Sequence, residues 1–474
     1  MEQITINTDF NLFDIMAKIF IKINSLSETD KENIFKRSQS DFLNLEQVIE
    51  DRFPFINGRE ADLYYDAIDC SNILHLSSYI DRENGYDCFQ LLLYLDHYIN
   101  FEQSIKRFFD SCVNLHDKVW LFKSLNNNAA GILLPRFIPI WAKKQNVTRA
   151  TCNCKPFSLI HHYIWCADSD EIEVDHIYVD VNPLEKNIID EPFRIVCSPL
   201  TDSCPFHYEY GKENGINYFF VDKYYEDIQE IVIDRIKKTL CYASKMQATI
   251  VFFPEMMISP ENRETIVQII KDNWEYIYPR IVFFPSSEYK EGDIWKNQIV
   301  VANDLGNILY KYNKQRAYRH PDKNKKGEVQ GFYFEPISRD NNFTILHLNN
   351  IGRVGILICA DIFDDIIQEK LCNKYDLDMI FVAACTSGWD LFNRCSNGMG
   401  VSFCEVIVCN TCSVINKGNR DSVYPVAYYS NGHNSKREYP IKICENECKG
   451  CAVCIEISSV YRDKNSNPLT LEFF

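Results

Sequence analysis

The sequence has no apolar run long enough to span a bilayer, no internal repeat and no low-complexity tract. These absences exclude a membrane-spanning helical protein, a repeat architecture and a largely disordered chain. Positive charge is also in short supply: 50 Lys and Arg against 66 Asp and Glu leave a formal net charge of −16. Such a balance argues against general affinity for nucleic acid or anionic membranes and favours a small-molecule or protein partner. The opening MEQITINTDF carries no basic leader, and Asp14, Lys18 and Lys22 break up the apolar residues that follow. An amphipathic helix is expected there, and a cytoplasmic location for the protein.

Cysteine, by contrast, is plentiful, with 20 in 474 residues. Without a leader these read as free thiols in a reducing compartment, not as a disulfide framework. Buried cysteine is an ordinary small core residue, so each one is first a packing residue until neighbours argue otherwise.

A 46% hydrophobic content gives enough apolar surface for two domains. Through about residue 145 apolar residues recur at three- and four-residue spacing, as at Leu12, Ile15, Met16 and Ile19, and at Leu92, Leu95, Ile99, Ile105 and Phe108. That period predicts helices. After a transitional acidic stretch ending near Pro192, continuous apolar runs alternate with helical patterns: FRIVCSPL, ATIVFFPE, RIVFFPSS, NQIVVAND, ILYKYNK, FTILHL, RVGILIC and DMIFVAAC. Such runs predict strands covered on both faces. The expected division is a mainly helical domain over 1–190 and an α/β domain over 191–474.

Three strand ends in the second part carry the residues of one chemistry. Glu255 follows VFFP, Lys314 follows ILYKYN, and Cys359 follows GILI. A thiol with an ordinary pKa near ~8.5 needs a base or a cation to act as a nucleophile at neutral pH. Glu255 supplies the base, while Lys314 and the backbone N–H of Ala360 can hold negative charge that develops on the attacked group. Taken singly, the three are a loop carboxylate, a surface charge and a core thiol. A Cys-His scheme fares worse, because His320, His347 and His433 stand in no catalytic context and no Gly-x-Cys-x-Gly elbow is present. Cys385 also ends an apolar run, and with Thr386, Ser387 and Trp389 it is a candidate for lining the pocket, although Trp389 equally suits a core.

Pro254-Glu255, the stretch NDLGNILYKYNK ending at Lys314, and Cys359-x-Asp361 together resemble the carbon-nitrogen hydrolase, or nitrilase, superfamily. The resemblance covers roughly residues 193–440. One departure is that Phe363 falls a position earlier than the family's aromatic residue, with Asp364 in its place. The resemblance implies a four-layer α-β-β-α sandwich, dimerisation through its helices, and a Glu-Lys-Cys triad that works through a thioester without metal or organic cofactor. It also implies a second glutamate that orients the lysine. Glu328 and Glu335 both qualify, and Glu335 is preferred because it lies just ahead of FTILHL. Ala360, Asp361 and Trp389 are the expected oxyanion and substrate-binding residues.

Near the end, Cys444, Cys448, Cys451 and Cys454 are spaced so that four thiolates could converge on a structural zinc, or on an iron-sulfur cluster, with reduced packing cysteines as the plain alternative. Cys152, Cys154, His161, His162 and Cys166 offer zinc-type ligands but are spaced too tightly for one ion, so packing is the better reading. The function expected from all this is hydrolysis of a small-molecule amide, carbamoyl compound or nitrile. The alternative is a non-catalytic sensor or assembly protein, which by analogy could serve bacterial antiviral defence and in which the helical part binds a protein partner.

Overall fold

The computed structural model describes residues 12–27, 29–31, 33–34, 70–98, 132–137, 162–165, 173–179, 193–273, 279–324, 326–340, 342–348, 351–401, 404–414, 427–430, 448, 450–457 and 469–473. The chain divides into two compact units, Met1–Glu171 and Ile172–Phe474.

In the first unit, α1 (Leu12–Asn24), α2 (Cys70–Arg82) and α3 (Gly85–Tyr98) precede an antiparallel pair, β1 (Ile132–Pro135) and β2 (His162–Trp165). Ile15, Met16, Ile19, Phe20 and Ile23 form one buried stripe of α1, packed in a common core with Leu76, Ile80, Leu92 and Leu95. This is the face that helical spacing dictates. Lys18 on the polar side reaches Asp81 of α2 at 2.7 Å. The expected apolar positions Ile99, Ile105 and Phe108 lie outside the described residues, as do Cys152, Cys154, His161 and Cys166.

The second unit begins with β3 (Glu173–Val179), so it starts before residue 191. The segment that reads as an acidic linker pairs in parallel with the strand over Asn342–Leu348 and extends a sheet. Next come β4 (Phe193–Cys197), β5 (Phe206–Glu213), β6 (Ile216–Tyr224), α4 (Glu226–Lys245), β7 (Ile250–Phe252), α5 (Arg263–Asp272), β8 (Ile281–Phe283), β9 (Ser287–Glu291) and β10 (Ile294–Asn303). They are followed by β11 (Ile308–Asn313), β12 (Arg319–Lys323), β13 (Val329–Phe334), β14 (Asn342–Leu348) and β15 (Gly352–Ile358). A 3₁₀ turn over Cys359–Phe363 then leads to α6 (Asp365–Glu369), β16 (Met379–Ala384), α7 (Trp389–Val401), β17 (Glu405–Asn410), β18 (Ala427–Ser430), β19 (Cys451–Ile457) and β20 (Leu469–Phe473).

Two large sheets result, in the orders β11-β10-β8-β7-β4-β19-β20 and β18-β17-β16-β15-β14-β3. They face each other through aromatic side chains: Phe381 of β16 lies 5.2 Å from Phe252 of β7 and 4.9 Å from Phe283 of β8 between ring centroids. On the outer face of the first sheet, Val232, Ile236 and Leu240 of α4 and Ile266 and Ile270 of α5 pack on Val196, Val251, Val282 and Val300. Each such side chain contributes about 1.5–3 kcal/mol on burial. On the outer face of the second sheet, α7 packs on β17 and β18 and buries Phe392, Ser396 and Met399. The layers therefore run helix, sheet, sheet, helix. That arrangement explains why strands such as Ile250–Phe252 and Met379–Ala384 are apolar at every position: both of their faces are covered.

A third, four-stranded sheet, β12-β13-β6-β5, lies outside the apolar runs that predict strands. Its β5–β6 hairpin turns at Asn214-Gly215, where both residues have positive φ. Asn-Gly between aromatic alternations is the signature of such a turn. The cysteine-rich end also enters a sheet, as β19 pairs antiparallel with β4.

Candidate active site

The ends of β7, β11 and β15 deliver Glu255, Lys314 and Cys359 to one place. Glu255 Oε1 lies 2.7 Å from Lys314 Nζ, and Lys314 Nζ lies 2.7 Å from Glu335 Oε2. All are buried: Glu255 is 0% exposed, Lys314 2%, Glu335 3% and Cys359 5%. Cys359 lies within electrostatic reach of Glu255. Crevices at the carboxyl ends of parallel strands are where α/β proteins place their chemistry.

Cys359 is the first residue of the 3₁₀ turn and has a φ of +46°. A non-glycine residue in this region is strained, and such strain collects at functional positions. The turn is braced by Asp361. Its Oδ2 accepts from the Tyr312 hydroxyl and the Ile358 N–H, both at 3.0 Å, and its Oδ1 accepts from the N–H groups of Gln315 at 2.9 Å and Arg316 at 2.7 Å. Asp361 thus ties the loop after Lys314 to the turn that carries Cys359. With four donors on its two oxygens, it braces the turn. The shifted position of Phe363 also has a reason, because Asp364 caps α6 by accepting from the N–H groups of Ile366 and Ile367. Ala360 is buried at the amino-terminal end of the turn, where backbone N–H groups have no partner within the helix.

Of the two candidate second glutamates, Glu335 is the one at Lys314, while Glu328 is exposed on a turn and bonds Asn324. Glu335 Oε2 also accepts from the Tyr318 N–H at 2.8 Å. Trp389 packs edge-on against Tyr428 at 4.9 Å and parallel to Phe392. Those contacts give it an aromatic packing role.

Two polar residues that sequence reasoning did not single out complete the network. Asn297 Nδ2 donates to Glu255 Oε1 at 2.9 Å and to Glu335 Oε1 at 3.2 Å, and its Oδ1 accepts from Ser286 Oγ at 2.7 Å. Ser286 Oγ in turn accepts from the N–H of Met256, the residue after Glu255. Asn297 occurs inside a strand run, where a buried amide among valines and isoleucines is the only sequence signal.

Burial opposes charge on Lys314, but Glu255 and Glu335 outweigh it and hold its pKa well above the usual lysine range. Burial pushes Glu255 up against the pull of Lys314. For Cys359, burial and then the Glu255 charge push the thiol well above its usual value, against Lys314 and the Cys385 backbone amide. Glu255 Oε2 has no hydrogen-bond partner among the described residues. Cys385, at the end of β16, lies within electrostatic reach of Cys359 and Glu255, with its thiol raised by burial.

The carboxyl-terminal cysteines are arranged differently. Cys451 and Cys454 are three residues apart on one extended strand and so leave opposite faces. Cys454 enters the core beneath α4, where burial pushes its thiol up to about 12, and Cys448 Sγ accepts from Arg235. Cys444 lies outside the described residues. Among the described residues no group of three or more His, Cys, Asp or Glu side chains is placed to hold a metal ion, and no helix is long and apolar enough to cross a membrane.

No family model and no curated protein matches the chain. Solved structures do. Nit3 of Saccharomyces cerevisiae, a member of branch 10 of the nitrilase superfamily, aligns at 14% identity over 58% of this chain and 96% of its own, with a TM-score of 0.39. An amidase from Nesterenkonia sp. aligns at 12% identity over 58% of this chain and 94% of its own, with a TM-score of 0.36. The C. elegans NitFhit protein aligns at 13% identity over 57% of this chain and 62% of its own, with a TM-score of 0.40.

Proposed function

We propose that the second unit hydrolyses a non-peptide carbon–nitrogen bond, an amide of a small molecule, with Cys359 as nucleophile. The observation that carries this reading is the placement of Lys314 Nζ 2.7 Å from each of two buried carboxylates, with the Cys359 thiol beside one of them. Glu255 takes the thiol proton as Sγ bonds to the amide carbon, and negative charge passes to the carbonyl oxygen. Lys314 has three N–H donors. Two are engaged by Glu255 and Glu335, which leaves one for the oxyanion alongside the Ala360 N–H. The carbon–nitrogen bond then breaks, and the amine departs with the proton held on Glu255. Water attacks the thioester, gives a proton to Glu255, and Cys359 leaves and recovers that proton.

Keeping the thiol neutral until attack suits this sequence, since the proton moves a short distance between adjacent groups as the new bond forms. Hydrolysis across a panel of small amides, with Cys359→Ala as the control, tests the proposal. Turnover by the native chain that is lost in the variant supports it. If amides bind but none is hydrolysed, the unit is a sensor or assembly module instead.

A further inference from the structure

A third carboxyl group adjoins this site and has no part in the steps above. Glu288 lies on β9 directly opposite Asn297 of β10 in the antiparallel register. Residues opposite one another across a strand pair share a face. The face in question is the one from which Asn297 bonds Glu255 and Glu335. Glu288 is 1% exposed, its Oε1 accepts from the Val221 N–H at 3.1 Å, and its Oε2 has no hydrogen-bond partner among the described residues.

The surroundings of Glu288 are aromatic and come from the four-stranded sheet. Tyr224 accepts from the Glu288 N–H, and the Tyr208 hydroxyl donates to Met256 Sδ at 3.5 Å, next to the base. Tyr208 meets Phe219 edge-on at 5.2 Å, and Phe219 lies 6.3 Å from Tyr318. The Tyr318 hydroxyl is within electrostatic reach of Cys359, and that of Tyr208 is within reach of Cys385, Glu288 and Glu255. Tyr318 is 39% exposed and Phe219 5%, so the chain of ring contacts begins at the surface and continues inward.

Charge counting decides the state of Glu288. Lys314 is the cation of the set, and it is shared between Glu255 and Glu335. A third carboxylate would stand unpaired in a buried site, and such a group keeps its proton. Burial, reinforced by Glu335, raises Glu288 well above the usual carboxyl range.

Resting on the proposed hydrolase reading, we propose that Glu288 is a specificity-determining residue: a neutral carboxylic acid whose Oε2 donates a hydrogen bond to an acceptor oxygen on an aromatic amide seated against Tyr208, Phe219 and Tyr318. Apolar and aromatic walls with a few convergent polar groups are the usual make-up of a small-molecule subsite.

The test uses the full chain carrying Cys359→Ala, so that binding is measured without turnover, and two probes: a benzamide and the same benzamide bearing a ring acetyl group. The expected result is that the acetyl compound binds about tenfold more tightly, the scale of one well-placed hydrogen bond. Adding Glu288→Leu should abolish that preference, and adding Glu288→Gln, a neutral donor of the same shape, should keep it. Equal preference in all three proteins, a Gln variant that behaves like Leu, or no binding of either compound would overturn the assignment. Should the Leu variant fail to fold, the Gln variant still decides. Preference at Glu288 without turnover by the native chain would remove the hydrolase reading alone.

Discussion

Lys314 Nζ is as close to Glu335 Oε2 as to Glu255 Oε1, 2.7 Å in each case. The lysine is thus held between two carboxylates, and its removal leaves both buried without a counter-charge. Lys314→Met is expected to cost about 3–5 kcal/mol of stability, the usual penalty for stripping one partner from a buried ion pair. A urea unfolding midpoint indistinguishable from that of the native chain would contradict this.

Asp361 is read as a brace that joins two loops. Asp361→Asn puts an amide N–H₂ where an oxygen accepts from two donors, leaving groups unsatisfied at about 1–3 kcal/mol each. Because the Cys359 turn loses its anchor to Gln315 and Arg316, kcat/KM for amide hydrolysis should fall on the order of 10²-fold. Lost stability with unchanged kcat/KM would show that the brace serves the fold alone.

Burial holds the Asp361 carboxyl up at about 7 against its hydrogen bonds, and burial likewise raises Glu288. The folded chain therefore keeps protons that the unfolded chain releases near ~4. The stability contributed by these groups is fully present below that value and is lost as pH rises, for Asp361 through about 7. Unfolding free energy measured at pH 5 should exceed that at pH 8, with a smaller difference in Glu288→Gln. A native chain more stable at pH 8 would contradict the assignment.

Gly355 lies in the strand that ends at Cys359, and a Cβ there would meet Leu377 Cδ1 at 2.6 Å and Phe343 Cζ at 3.1 Å. Gly355→Ala is expected to cost about 1–3 kcal/mol by overpacking. Combining it with Leu377→Val should recover part of the loss, and additive losses would exclude the steric explanation.

The parts of the site visible in the sequence were those with strong local patterns. Cys359 and Glu255 each follow an apolar run, and runs apolar at every position correspond to strands with both faces covered, while Lys314 follows the mixed strand ILYKYN. Glu288 is different: it is buried because the β5–β6 hairpin covers it, a long-range event that no local pattern records. Asn297 was hidden for the opposite reason, as one amide inside an apolar strand. At the carboxyl end CAVCIEI forms a strand buried at nearly every position beside β4, a pairing that the cysteine spacing does not record. The β3 strand was obscured by its acidic flank, since a stretch such as DSDEIEVD reads as linker until a partner strand is known.

The most direct measurement is rapid-quench mass spectrometry of the native chain during turnover of an activated aryl amide. The expected result is one acyl group per chain, mapped to Cys359 and absent in Cys359→Ala, accumulating before steady state. An acyl group on Cys385, or none on a chain that still releases amine, would contradict Cys359 as the nucleophile.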